Sequence, residues 1–131
     1  MSSADVVRGI YAAFGRGDVP SAVALMAPDI VWNEAENFLY ADRNPYVGPQ
    51  AVLEGVFARI GADFDNFATV PEEIIDGGDT VVMLGRYVGK HKGTGKSINM
   101  QVVHVWRVSG GKLTHFQQYT DTLQAARAAG L

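Results

Sequence analysis

The sequence holds no cysteine, which removes disulfides, thiolate metal sites and cysteine nucleophiles together. Charge is also scarce. Eleven Lys and Arg stand against fourteen Asp and Glu, a formal charge of −3, and the two signs are interspersed. Nucleic acid would need a basic stripe or patch, so no nucleic-acid partner is expected. No apolar run approaches the roughly 20 residues that cross a bilayer, so no membrane partner is expected either. Nothing near Met1 pairs a charged stretch with an apolar one as an export signal does, and the expected location is the cytoplasm. His-Glu-x-x-His, Gly-x-Ser-x-Gly and metal-ligand spacings are missing as well. The expectation is therefore no cofactor and no metal. One decoy remains: GKHKGTGKS, Gly89 to Ser97, looks like a phosphate-binding loop. That motif needs glycine five residues before Gly95, where this chain has Lys90. The segment also joins two strands instead of opening a helix whose N-terminus would hold phosphate.

What is present is a globular composition, 47% hydrophobic and 19% charged over 131 residues. That is one domain, residues 1–131, large enough for a core and one internal cavity. Val6, Val7, Ile10, Tyr11 and Phe14 recur at helical spacing after a Ser2 or Ser3 cap. Asp18 caps a second helix that Pro28 closes, and Ile30 to Glu34 alternates as a strand with Ile30, Trp32 and Glu34 on one face. Ala35 to Val47 has no period but carries Phe38, Leu39, Tyr40 and Tyr46, and reads as a flap. Gly48-Pro49 opens a third helix ending at Gly61. Strands follow at Phe67 to Asp76, Thr80 to His91, Ser97 to Val108 and Leu113 to Asp121. Gly77-Gly78 and Gly110-Gly111 lie at two of the turns, and a short helix, Leu123 to Ala129, closes the chain. Helices first and an antiparallel meander second give an α+β fold.

Counting back from a two-residue Gly110-Gly111 loop pairs Ser109 with Lys112, Trp106 with His115, His104 with Gln117, Val102 with Tyr119 and Met100 with Asp121. One face then carries Met100, Val102, His104, Trp106, Leu113, His115, Gln117, Tyr119 and Asp121. The other carries Gln101, Val103, Val105, Arg107, Phe116 and Gln118. A loop one residue longer would exchange these faces. Bulky apolar groups mixed with a few convergent polar ones are what a ligand cavity needs, so the first face is expected to line a pocket for a small apolar molecule. The second face suits solvent or a homodimer.

The run VVMLGRYVGKHKGTGKSINMQVVHVWRVSGGKLTHFQQYTDT, Val81 to Thr122, resembles the C-terminal half of SnoaL-like proteins, as do PDIVWNEAE and PYVGPQAVLEGVFARI upstream. These belong to the cone-shaped superfamily that also holds nuclear transport factor two and ketosteroid isomerase. The resemblance implies a cone-shaped curved antiparallel sheet packed against three N-terminal helices and enclosing a pocket. It leaves function open, because the superfamily holds isomerases, cyclases, hydratases, epoxide hydrolases and binders.

The resemblance makes Asp121 the sharpest catalytic candidate, since SnoaL-like cyclases place an acid/base residue at the end of the last strand. In an apolar cavity its pKa would rise into a useful range. Alternatively Asp121 is the N-cap of the last helix. His104 is the second catalytic candidate, able to titrate near neutrality, or else a core histidine bonded to Gln117. His115 reads as a rim residue and His91 as exposed. Trp32 is pocket wall or core. Glu34, in line with a buried Trp, has a partner or a task, or emerges where the strand ends. Tyr40 and Tyr46 are lid residues, with or without a hydrogen bond to a ligand carbonyl. Tyr87, Met100, Gln117 and Tyr119 complete the expected binding wall. The Tyr-plus-acid oxyanion hole of ketosteroid isomerase finds no match: Tyr11 and Tyr46 are present, but no acid sits at a matching sheet position. Arg107 falls on the face opposite Asp121, against an epoxide-hydrolase arrangement. Two readings follow. One is a cofactor-independent isomerase- or cyclase-type enzyme moving a proton α to a carbonyl. The other is a binding or dimerisation module without chemistry.

Overall fold

A computed structural model describes residues 2–131. Ser2 caps the first helix through a capping box: its hydroxyl accepts from the Asp5 amide while the Asp5 carboxylate accepts from the Ser2 amide, which satisfies two of the amides a helix start leaves free. Helix α1 (Ser3–Gly15) buries Val6, Val7, Ile10 and Tyr11. Helix α2 (Val19–Ala24) is capped by Asp18, as expected. Strand β1 (Met26–Asn33) begins four residues earlier than its alternation indicated and runs through Pro28, because its pairing is interrupted between Met26 and Val31.

The segment after β1 folds inward. Phe38, Tyr40 and Tyr46 are buried, a 3₁₀ turn forms at Ala41–Arg43 and the short strand β2 at Tyr46–Val47. The third helix is a continuous rod in three parts: α3 (Pro49–Val52), a π-type turn (Leu53–Phe57) and α4 (Ala58–Asp63). It runs past Gly61, which meets nothing that would require glycine there.

Four long strands follow, β3 (Phe64–Gly77), β4 (Thr80–His91), β5 (Ser97–Ser109) and β6 (Lys112–Thr120), and helix α5 (Thr122–Ala128) closes the chain. The sheet order is β2-β1-β6-β5-β4-β3. All pairs are antiparallel except β1 with β6, which is parallel. Register shifts in β3 opposite β4 bend the sheet, as bulges do. At one of them Gly85 lies against the Val70 carbonyl with no room for a Cβ. Helix α1 packs into the hollow side against β3, β4, β5 and β6. No helix among the described residues is long and apolar enough to cross a membrane.

The β5–β6 hairpin decides the site. Gly110 and Gly111 have φ of 59° and 74°, the left-handed pair that a two-residue hairpin turn requires, and Ser109 pairs with Lys112 as counted. The count then fails. Val108 faces Leu113, but Arg107 faces His115, so Thr114 is an inserted residue. Its hydroxyl donates to the Arg107 carbonyl at 3.2 Å. From there every residue of β6 is displaced by one: Trp106 faces Phe116, His104 faces Gln118 and Val103 faces Tyr119. Leu113 and Phe116 are three apart, so an unbroken strand would put them on opposite faces. The bulge lets both be buried, at 0% and 2% exposure.

Candidate functional site

Between α1, the third helix and the hollow side of the sheet lies a cavity of about 460 Å³. Its walls are largely aromatic: Phe14, Trp32, Phe57, Phe67, Tyr87 and Phe116. Trp32 stacks on Phe116 with ring centres 3.7 Å apart and meets Phe57 edge-on at 5.7 Å. Gly17 and Asp18 before α2, and Asn66 and Ala68 of β3, also line it. Gly17, Asn66 and Ala68 are exposed, as is Gly15, which also lines it, and they mark its opening. Into this apolar space face three polar side chains that are almost fully buried, Glu34, His104 and Gln118.

Glu34 follows the end of β1 on the same face as Trp32. Its Oε2 accepts from Trp32 Nε1 at 3.1 Å, while Oε1 is the one buried side-chain polar atom among the described residues with no partner. Burial pushes this carboxyl up to about 7, against the opposing pull of the Trp32 N–H and the Arg59 charge. A carboxylate in low dielectric with one oxygen unsatisfied holds its proton more tightly. Near neutral pH it is divided between acid and base forms.

His104 is held at both ring nitrogens. Nδ1 lies 2.6 Å from the Tyr11 hydroxyl and Nε2 lies 2.6 Å from the Tyr87 hydroxyl. Tyr11 accepts from Trp106 Nε1 at 2.8 Å. Tyr87 accepts from Gln118 Nε2 at 2.8 Å, and Gln118 Oε1 accepts from the Ala35 amide at 3.0 Å. Burial lowers the His104 pKa to about 3, so the imidazole is neutral at physiological pH. The Tyr11 and Tyr87 phenols are raised well above their ordinary value, chiefly by burial and, for Tyr87, by the charge of Glu34.

The expected site residues therefore separate. Trp32, Glu34, Tyr87 and His104 line the cavity together. Met100 is buried in the core and is not part of the cavity wall. Tyr40 and Tyr46 are buried but turned elsewhere: Tyr46 donates to the Tyr40 carbonyl at 2.6 Å, and Tyr40 donates to Asp63 Oδ2 at 2.8 Å. Arg59 lies over the Tyr40 ring at 4.7 Å. The one-residue displacement of β6 moves three others. Gln117 and Tyr119 lie with Ala35 and Thr120 around a separate polar depression, and Tyr119 is 57% exposed. Asp121 is the N-cap of α5, its Oδ1 accepting from the Gln124 amide at 3.0 Å; it does not line the cavity. His104 bonds to the two tyrosines and not to Gln117. Phe116 and Gln118 take the places expected of His115 and Gln117. The three-residue spacing of Leu113 and Phe116 was the signal for this. Among the described residues no three His, Asp or Glu side chains gather closely enough to hold a metal ion.

The chain belongs to the SnoaL-like family, whose domain model matches residues 7–116. An NTF2-like protein from Burkholderia thailandensis is 39% identical over 98% of both chains, with a TM-score of 0.94. A second NTF2-like protein, from Burkholderia pseudomallei and of unknown function, is 28% identical over 98% of both chains with a TM-score of 0.87. IdmH of Streptomyces antibioticus, a candidate polyketide cyclase, is 24% identical over 100% of both chains with a TM-score of 0.81 and shares the fold. No curated protein matches the sequence.

Proposed function

We propose that this protein is a cofactor-independent acid/base catalyst of the isomerase or cyclase type, acting on a small apolar carbonyl compound, with Glu34 as the group that accepts and returns the proton. The observation that carries this reading is the Glu34 carboxyl: buried at 2% exposure in a cavity wall, one oxygen unpartnered, and raised to about 7. A base whose pKa sits near the working pH combines a populated carboxylate with a strong pull on the proton. The aromatic walls exclude water from the reacting carbon. Asp121, on this reading, serves α5 and not the chemistry. The test is hydrogen–deuterium exchange at the α-carbon of 2-tetralone, a small apolar ketone, followed by NMR in heavy water. The protein accelerates exchange over buffer, and Glu34→Gln loses on the order of 10²-fold or more of that acceleration. Equal rates for the two proteins would remove Glu34 from the role.

A second reading has its own observation. A buried carboxylate in a cavity also lined by the Trp32, Phe57 and Phe116 rings suits a small organic cation held without chemistry. A protein from Catenulispora acidiphila with a ketosteroid isomerase-like fold was crystallised with trimethylamine. Calorimetry with trimethylammonium separates the readings. Binding that strengthens as pH rises through 7, with no exchange of 2-tetralone, favours the binder.

The reading also includes a homodimer through the outer face of the sheet, where Val103 and Val105 are half-buried and Tyr119 exposed. Sedimentation of the wild type against Tyr119→Lys tests it, the variant shifting toward monomer.

A further inference from the structure

The two tyrosine hydroxyls and the imidazole hold one proton more than their two mutual contacts use, and where that proton goes decides whether Tyr11 or Tyr87 has a free hydroxyl. Two orientations are fixed by chemistry. Trp106 Nε1 is only a donor, so the Tyr11 oxygen accepts from it at 2.8 Å. The Ala35 amide is only a donor, so Gln118 turns its oxygen there and its NH₂ to Tyr87. Two phenolic protons and one imidazole proton then serve just two contacts, Tyr11 to Nδ1 and Tyr87 to Nε2. One hydroxyl proton is left over.

The two tautomers place it differently. With the proton on Nδ1, His104 donates to Tyr11 and receives from Tyr87. Tyr11, already accepting from Trp106, would then hold a hydroxyl proton with no acceptor. Its only side-chain partners among the described residues are His104 and Trp106, it is buried, and it does not line the cavity. With the proton on Nε2, Tyr11 donates to Nδ1 and is complete. Tyr87 accepts from both His104 and Gln118, and its own proton is free. Tyr87 does line the cavity, as does Glu34 with its unpartnered oxygen. A buried donor left unmade disfavours the first arrangement by roughly tenfold or more. An imidazolium would strand two protons instead of one.

We infer that Tyr87 is the cavity's hydrogen-bond donor, and that His104 is a positioning residue whose Nε2–H tautomer turns the Tyr87 hydroxyl proton toward a ligand. Among the buried groups of the cavity, Tyr87 then offers a free hydroxyl proton and Glu34 an unpartnered oxygen. The ligand class that satisfies both carries an acceptor oxygen and, within the same molecule, a hydrogen that can be given up to a carboxylate: an enolisable ketone or its enol. Tyr87 gives a hydrogen bond and keeps its proton, since burial makes its phenol a very weak acid. This assignment rests on the Glu34 reading for the chemistry but not for the tautomer.

Long-range ¹H–¹⁵N NMR of the imidazole at pH 7 reads the tautomer without any ligand. The wild type and Tyr87→Phe show a protonated Nε2 and a bare Nδ1. Tyr11→Phe, having lost the donor to Nδ1, shifts toward the Nδ1–H form. A protonated Nδ1 in the wild type, alone or with Nε2, overturns the inference. The donor role is read separately in the carbonyl stretch of 2-tetralone added at millimolar concentration. The stretch moves to lower frequency in the wild type and in Glu34→Gln, and returns to its unbonded position in Tyr87→Phe. An unshifted carbonyl in the wild type, or no binding, overturns the ligand class. A shift retained in Glu34→Gln while proton exchange is lost supports both assignments. A shift retained while exchange is unchanged overturns Glu34 alone.

Discussion

Trp32 and Glu34, two residues apart where one strand ends, are joined by an indole N–H that donates to one carboxylate oxygen at 3.1 Å and leaves the other buried and unpartnered. Trp32 thus fixes the carboxyl in place and supplies its one hydrogen bond. Replacing Trp32 with Phe keeps an aromatic ring against Phe116 but removes that bond, which favours the ionised form. The Glu34 titration in Trp32→Phe moves upward from about 7, as a carboxyl NMR titration would read. A downward movement would show that the bond does not favour the carboxylate.

Glu34 and His104 oppose each other in the pH dependence of stability. The Glu34 pKa is raised from 4.5 to about 7, so its contribution is complete below 4.5 and is lost as pH rises to 7. His104 is lowered from 6.5 to about 3, so its contribution is complete above 6.5 and is lost as pH falls. Each slope is about 1.4 kcal/mol per pH unit and the signs are opposite. Between pH 4.5 and 6.5 the two cancel. Glu34→Gln removes one slope, so its stability relative to wild type rises with pH by about 3 kcal/mol in total between 4.5 and 7. Urea unfolding at pH 4.5, 5.5, 6.5 and 7.5 reads this. A difference that does not change with pH would mean the carboxyl is not perturbed by folding.

Asp121 caps α5 through the Gln124 amide. Asp121→Ala lowers stability by about 1 kcal/mol, while Asp121→Asn retains the cap. Neither changes 2-tetralone exchange. A large loss of exchange in Asp121→Asn with unchanged stability would return the acid/base role to Asp121.

Thr114 is the extra residue of β6, unpaired between the Val108–Leu113 and Arg107–His115 pairs. Deleting it would leave Leu113 opposite Val108 and His115 opposite Arg107 in an unbroken ladder, with Phe116 and Gln118 still on the hollow side. The deletion variant is therefore expected to fold cooperatively by circular dichroism and to keep 2-tetralone exchange, losing the bulge and the Thr114 hydroxyl bond to the Arg107 carbonyl. Loss of folding or of exchange in the deletion variant would contradict Thr114 as the extra residue of β6.

Helices and strands were legible because their signals are local. The Ser2 cap, the α1 stripe, the Gly110-Gly111 turn and the length of β4 all follow from neighbouring residues. The Trp32–Glu34 face was legible from alternation on one strand, although nothing in the sequence indicated that one Glu34 oxygen would stay unpartnered. The cavity's polar lining was not legible in full, because it depends on pairing between strands. One inserted residue exchanged Gln117 and Tyr119 for Phe116 and Gln118 and moved Asp121 to a helix cap. The spacing of Leu113 and Phe116 carried that information, since both can be buried only with a bulge between them. Tyr40 and Tyr46 misled for a different reason. Amphipathic rings in a loop without period fit a lid as well as a core, and their hydroxyls found Asp63 and a backbone carbonyl instead of the cavity.

The most direct test of the central claim is a ¹³C NMR titration of the Glu34 side-chain carboxyl in the ligand-free protein, assigned by comparison with Glu34→Gln. A midpoint near 7 is the predicted result. A midpoint at the ordinary glutamate value of 4.5 would contradict it, since Glu34 would then be a solvated carboxylate with no reason to take a proton from carbon.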